Sequence, residues 1–194
     1  MLHAIERLHA AFRAGLMALC AGLLLGACGQ GRSAGAEAAR LPPSGQSLDS
    51  IVLGMGCFWG AEKRMAELPG VVDVESGYAN GEVAGDYQSI LSHEQALRRG
   101  ASRQRNHAEV VRVTYDPGLV SLETVLARFW ESHDPTQGDR QGNDVGSNYR
   151  SAIYTRNTAQ QALAERTRSV YQRALSAAGR AAITTEIAPL TVYH

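Results

Sequence analysis

The stretch Gly56-Cys57-Phe58-Trp59-Gly60 constrains this chain more than any other, because it sets a thiol at the junction of a strand and a helix. Ile51-Val52-Leu53 is an apolar run of strand character, Gly54-Met55-Gly56 reads as a tight turn, and residues 58–68 read as a helix. A helix start presents unbonded backbone N–H groups and the positive end of the helix dipole. Thiols in such settings ionise readily, with pKa values of about 3.5–7.5 in place of about 8.5. The alternative for a single leftover cysteine is a buried, inert small hydrophobe. The position of Cys57 between a turn glycine and an aromatic pair favours reactivity.

Further along, strands and helices intermix. Residues 71–78 and 109–115 alternate apolar and polar positions as strands do, and Asp116-Pro117-Gly118 stops the second with turn chemistry. Ser121 can cap a helix whose Leu122, Val125, Leu126 and Phe129 share a face. Residues 134–148 read as a long loop, 151–155 as a strand, and Thr158 with Gln161 as a capping box opening a helix that Gly179 ends. A last strand is expected at 183–187. Residues 92–105 hold Arg98, Arg99, Arg103 and Arg105 with little apolar periodicity, and read as a solvated surface loop. The expected class is α/β (α+β), a two-layer sandwich of a mixed sheet with helices packed on it.

The first 49 residues read as an address and not as part of this fold. Arg7 and Arg13 flank an apolar run over residues 14–27, too short to span a bilayer comfortably. Leu25-Gly26-Ala27-Cys28 resembles a bacterial lipobox, in which Cys28 would be lipidated. A plain secretory signal or a short anchor helix are the other readings. Residues 28–49, rich in Gly, Ala, Ser and Pro, read as a flexible tether. Residues 50–194 are the expected catalytic domain. The expected location is the bacterial cell envelope, facing the periplasm, with the outer membrane favoured for the anchor. Of the three cysteines, Cys20 would be cut away and Cys28 acylated, leaving Cys57 as the free thiol. The chain carries no formal net charge, which argues against general nucleic-acid binding. No paired ligand spacing supports a metal site; His133-Asp134 is too isolated.

Seven segments in order carry a family resemblance. They are Gly56-Cys57-Phe58-Trp59-Gly60, Gly77-Tyr78, His107-Ala108-Glu109-Val110, Phe129-Trp130-Glu131-Ser132-His133-Asp134-Pro135, Gln141-Gly142-Asn143-Asp144-Val145-Gly146, Tyr149-Arg150-Ser151-Ala152-Ile153-Tyr154 and Ile183-Thr184-Thr185-Glu186-Ile187. Together they resemble the A-type peptide methionine sulfoxide reductases. The resemblance implies a ferredoxin-like two-layer sandwich and reduction of the S epimer of methionine sulfoxide in proteins or peptides. It implies Cys57 as nucleophile, Phe58 and Trp59 as the surface that holds the substrate methyl group, and Glu109 as acid. Tyr87 and Tyr149 would bind the sulfoxide oxygen and Asp144 would help organise the site. No bound cofactor is implied.

The residue chemistry is consistent with those roles. A sulfoxide oxygen only accepts hydrogen bonds, so its partners must be donors. Tyrosine hydroxyls qualify; a carboxyl qualifies only when protonated, which burial favours. The sulfur packs on aromatic faces. Relatives usually continue past the Ile-Thr-Thr-Glu-Ile strand into a tail with a resolving cysteine. The expectation for this sequence is a sulfenic acid on Cys57 recycled by an external thiol, either a thioredoxin-like protein or a small thiol. A monomer acting on oxidised proteins is expected. Two rival readings are a thiol hydrolase built from Cys57, His107 and Asp144, and a lipid-anchored binder of oxidised methionine without turnover.

Overall fold

The structure is a computed structural model of the chain and describes residues 47–194. The expected signal peptide, the lipid acceptor Cys28 and nearly all of the expected tether lie outside the described residues. The elements in chain order are β1 (Asp49–Met55), α1 (Phe58–Ala66), β2 (Val71–Ala79), α2 (Tyr87–Arg98), β3 (Ala108–Tyr115), α3 (Leu122–Ser132), β4 (Arg140–Gln141) and β5 (Asp144–Val145). A 3-10 turn (Ser147–Tyr149), β6 (Ser151–Thr155), α4 (Thr158–Ala177) and β7 (Glu186–Pro189) complete them.

The main sheet runs β2-β3-β1-β6-β7. β3 is antiparallel to both β1 and β2, so β1 and β2 run the same way with β3 between them. β6 is antiparallel to β1 and parallel to β7, with α4 as the crossover. This is the mixed α+β sheet expected from the sequence.

Alternation along the strands divides the core. Ile51, Leu53 and Met55 of β1, Val111 and Val113 of β3 and Ile153 of β6 pack with Ala61 and Met65 of α1, Val125, Leu126 and Phe129 of α3, and Ala164 of α4. Burying a side chain such as Phe129 contributes about 1.5–3 kcal/mol. Val52, Val110, Ala152 and Tyr154 form a second cluster, against which Ala188, Leu190 and Tyr193 pack. Glu109 shares its parity with Val111 and Val113, which directs it toward the helical layer near the start of α1.

Local chemistry explains the element ends. Ser121 Oγ accepts the N–H of Thr124 at 3.1 Å and caps α3, as expected. Trp130 is a core residue whose Nε1 donates to Thr167 Oγ1 at 3.0 Å. Gly179 ends α4 with a φ of 67°.

Four expectations need correction. The arginine-rich segment is not a loop throughout, because α2 occupies it as far as Arg98. Asp86 caps this helix by accepting the N–H of Ser89 at 3.0 Å, and its buried face combines Ile90 with the carboxyl of Glu94, which apolar periodicity does not detect. Residues 134–148 are not structureless, since β4 and β5 form a small hairpin ahead of the 3-10 turn. The cap of α4 is Asn157 and not Thr158: Asn157 Oδ1 accepts the N–H of Gln160 at 2.9 Å. The last strand starts only at Glu186. Residues 183–185 are held instead by irregular bonds, including Ile183 N–H to Gln172 Oε1 at 2.7 Å and Thr184 N–H to the Pro135 carbonyl at 2.8 Å.

Candidate active site

Cys57 is the N-cap of α1, half-buried, with φ −55° and ψ 124°. Its side chain makes no capping bond, so the sulfur is not tied to the helix. Gly56 places it there at a φ of 84°, and a Cβ at that glycine would stand 2.6 Å from Gln141 Cβ. Gln141 in turn is fixed by Asp134, whose N–H it accepts at 3.1 Å and whose carbonyl it bonds at 2.8 Å. The turn before the thiol is thereby braced by β4.

Glu109 reaches the same helix start from β3. Its Oε2 accepts the N–H of Phe58 at 3.4 Å, and its Oε1 accepts from Asn148 Nδ2 at 3.4 Å. The residue is 4% exposed. Burial pushes its carboxyl above the usual carboxylate range; the Phe58 N–H and the Asn148 amide pull it down, and the charge of Asp144 adds to the rise. The expectation of a carboxyl poised toward its neutral form is met in direction.

Aromatic side chains surround this pair. The Phe58 ring lies 6.0 Å from that of Trp59 at 84° and 5.5 Å from that of Tyr78 at 52°. Phe58, Trp59, Tyr78, Glu62 and Gly85 help line an open cleft of about 400 Å³. Trp59, 77% exposed, lines this cleft and is available to a ligand at its rim; Tyr87 is 55% exposed but does not line it. Burial raises the Tyr149 hydroxyl above its ordinary range, with the charges of Glu109, Asp144 and Cys57 adding to it. Burial likewise raises Tyr78 to about 12, with Glu109, Tyr87 and Tyr149 contributing. Both phenols stay protonated at neutral pH and remain donors.

The structure therefore brings Cys57, Phe58, Glu109 and Tyr149 together, with Asp144 within electrostatic range of Glu109. Tyr87, the first residue of α2, is linked to this group only by its electrostatic influence on Tyr78. Two contributors were missed from sequence. Tyr78 sits directly opposite Glu109 in the β2–β3 register. Its place one strand before the acid was the available signal. Asn148 carries no pattern of its own beyond preceding Tyr149.

His107, in contrast, is spoken for. Its Nδ1 accepts the N–H of Gly81 at 3.1 Å and its Nε2 donates to the Val83 carbonyl at 2.9 Å. Burial lowers its pKa, which keeps the ring neutral. Neither nitrogen is left to serve Cys57 as a base, so the hydrolase reading loses its central contact. No group of His, Cys, Asp and Glu among the described residues could hold a metal ion.

Comparisons with known proteins point to one family. A peptide methionine sulfoxide reductase MsrA of Vibrio parahaemolyticus is 46% identical over 152 residues, covering 78% of this chain and 68% of the relative. The structure of methionine sulfoxide reductase A of Corynebacterium diphtheriae is 40% identical with a TM-score of 0.66, covering 76% of this chain and 66% of that one. Reduced Mxr1 of Saccharomyces cerevisiae is 26% identical with a TM-score of 0.65, covering 79% and 81%. The same yeast protein solved in complex with Trx2 matches at 22% identity and a TM-score of 0.53, covering 81% and 86%. The chain thus spans about two thirds of the length of its bacterial relatives, 68% and 66% in these two cases. The peptide methionine sulfoxide reductase profile matches residues 49–194, and the chain belongs to that family.

Proposed function

We propose that this protein reduces the S epimer of methionine sulfoxide in proteins or peptides, a repair reaction. The observation that carries the reading is the buried Glu109 carboxyl, hydrogen-bonded to the residue that follows Cys57.

In this reading the thioether part of the substrate lies on Phe58 and Trp59, where sulfur–aromatic contacts contribute about 0.3–1.5 kcal/mol. The sulfoxide oxygen accepts from the hydroxyls of Tyr87 and Tyr149. The Cys57 thiolate attacks the sulfoxide sulfur while Glu109 gives its proton to the oxygen. The oxygen passes to Cys57, leaving a sulfenic acid, and the methionine thioether departs. Cysteine sulfur loses two electrons and methionine sulfur gains them. Asp144 helps hold Glu109 toward its neutral form.

A first external thiol then condenses with the sulfenic acid and releases water, and a second thiol frees Cys57. Cys57 is the free cysteine among the described residues, so they supply no partner for it. A thioredoxin-like protein or a small thiol fits this step; the pairing of yeast Mxr1 with Trx2 supports the former. On the sequence of residues 1–49, we place the domain on a lipid tether at Cys28 in the cell envelope, acting as a monomer. Incorporation of labelled palmitate, lost in Cys28→Ala, tests that address.

The main test is a reductant-coupled assay on peptides carrying S or R methionine sulfoxide, with Cys57→Ser as control. Turnover of the S epimer alone, abolished by the substitution, is expected. Mass spectrometry after one turnover without reductant should find one added oxygen on Cys57. Tight binding of the oxidised peptide without turnover would favour the binder reading instead.

A further inference from the structure

Asn148 is fully enclosed, yet its Oδ1 is a buried side-chain atom without a hydrogen-bond partner among the described residues. The other end of the amide is engaged: Nδ2 donates to Glu109 Oε1 at 3.4 Å. The amide also bears on the Tyr149 hydroxyl, which it pulls downward. Asn148 therefore touches both the acid and one donor of the reaction proposed above, and this inference rests on that reading.

The surroundings of Oδ1 show why it stands alone. It faces Gly146, where a Cβ would come within 2.6 Å of Oδ1 and 3.1 Å of the Glu94 carboxyl. Two acceptors thus look into the same gap. Glu94 is buried, which pushes it up, but hydrogen bonds from Ser147 and Asn106 and the nearby Arg98 hold it below the usual range. An ionised Glu94 offers Oδ1 nothing.

A half-turn of the amide exchanges its ends. Nδ2 would then face the Glu94 side, and Oδ1 would face Glu109. That second orientation suits a protonated Glu109, whose O–H needs an acceptor. The observed orientation suits an ionised Glu109, which needs a donor. Each orientation matches one protonation state of the acid.

We propose that Asn148 is a positioning residue for Glu109, its amide turning over as the carboxyl gives up and regains its proton. While Glu109 holds its proton, the turned-over amide presents Oδ1 to it; the orientation observed, with Nδ2 on Oε1, is the one that serves the carboxylate. The sulfoxide oxygen replaces Oδ1 as acceptor, and the half-turn brings an N–H to the new carboxylate. That N–H bond forms as charge develops, so it acts in the transition state more than on bound substrate. The groups bearing on Glu109 are the Phe58 N–H from α1, Tyr78 from β2, Asp144 from β5 and Tyr149 from the 3-10 turn; Glu94 of α2 lies on the far side of Asn148.

The test follows the Glu109 carboxyl carbon and the Asn148 side-chain amide by NMR through a pH titration of the wild-type protein. Both signals should move with one shared midpoint. In Asn148→Leu, which keeps the bulk and loses both hydrogen bonds, the Glu109 midpoint should rise by about one pH unit, because the bond to the charged form is the stronger one. Turnover of an S-sulfoxide peptide should then fall about tenfold in kcat with KM unchanged. An Asn148 amide that stays still through the Glu109 titration overturns the proposal, even where Asn148→Leu does not fold. So does a folded Asn148→Leu with an unmoved midpoint or unmoved kcat. Wild-type protein that never oxidises Cys57 with the sulfoxide peptide would sink the reductase reading instead, a separate outcome.

Discussion

Glu109 accepts the backbone N–H of Phe58 at 3.4 Å, so a carboxyl from β3 sits on the first turn of the helix that Cys57 begins. Acid and nucleophile are thereby fixed to one another through a single backbone group. Two influences compete at this point. The helix start and its N–H favour a carboxylate, while desolvation favours the neutral acid and prevails.

The first prediction is a pH dependence with a definite sign. Because the Glu109 pKa is raised, the proton donor is present below it and is lost as pH rises through it. Turnover should fall along that alkaline limb. Glu109→Gln keeps the shape and loses the proton, so kcat should drop about 10²–10⁴-fold and the limb should vanish. Its melting temperature at pH 7 should equal or exceed that of the wild type, since a buried carboxyl that resists ionisation costs stability above its unfolded pKa. A stopped-flow assay beside thermal melts checks both halves.

A second prediction separates the two aromatic residues of the motif. Trp59 is largely exposed and Phe58 is packed against the main core. Trp59→Ala should raise KM for sulfoxide peptides with little change in kcat, and alter stability by no more than about 0.5 kcal/mol. Phe58→Ala should cost both activity and roughly 1–3 kcal/mol of stability. Steady-state kinetics with urea unfolding distinguishes the pair; equal stability losses would contradict this division.

Much of the fold was legible because local signals and packing coincide. Ser121 opens α3 as the sequence suggests, and the alternation around Glu109 gives β3 its buried face. The reading fails where polar groups, not apolar ones, determine burial. α2 hides Glu94 against Ser147 and Asn106, so its inward face carries no hydrophobic period. The site divides the same way. Cys57, Phe58 and Trp59 are consecutive, and their neighbourhood is visible in one line of sequence. Asn148 matters through a contact with a residue 39 positions earlier, and only the folded chain makes that contact.

A third prediction concerns His133. Burial lowers its pKa to about 4, while Nδ1 lies 2.9 Å from the Phe129 carbonyl and Nε2 lies 2.7 Å from Ser151 Oγ. The unfolded chain takes up a proton near the ordinary value of 6.5, and the folded chain does not until about 4. Its contribution to stability is therefore complete above 6.5 and lost as pH falls toward about 4. Urea midpoints measured across this window should decline, and His133→Asn should flatten that decline. A parallel decline in the variant would assign the effect to other groups.

Arg150 provides the last prediction, because it anchors the turn that carries Tyr149. It is 9% exposed and donates to the Asn106 carbonyl at 3.0 Å, the Ser147 carbonyl at 2.8 Å, Tyr154 Oη at 3.0 Å and Glu186 Oε2 at 3.1 Å. Burial pushes Glu186 up, but Arg150, the Tyr154 hydroxyl and Arg105 hold it below the ordinary carboxylate range. Removing one partner of a buried ion pair costs about 3–5 kcal/mol, and the remaining Arg105–Glu186 bridge should keep the loss near the lower figure. Arg150→Ala should also reduce kcat, since the Ser147–Tyr149 turn loses its tie. In the wild type the Glu186 contribution is present above the unfolded carboxylate pKa and disappears as pH falls through the lowered one. Arg150→Ala should move that acid loss to higher pH. Chemical unfolding at several acid pH values checks the displacement, and an unshifted acid limb would mean that Arg105 alone holds the carboxylate.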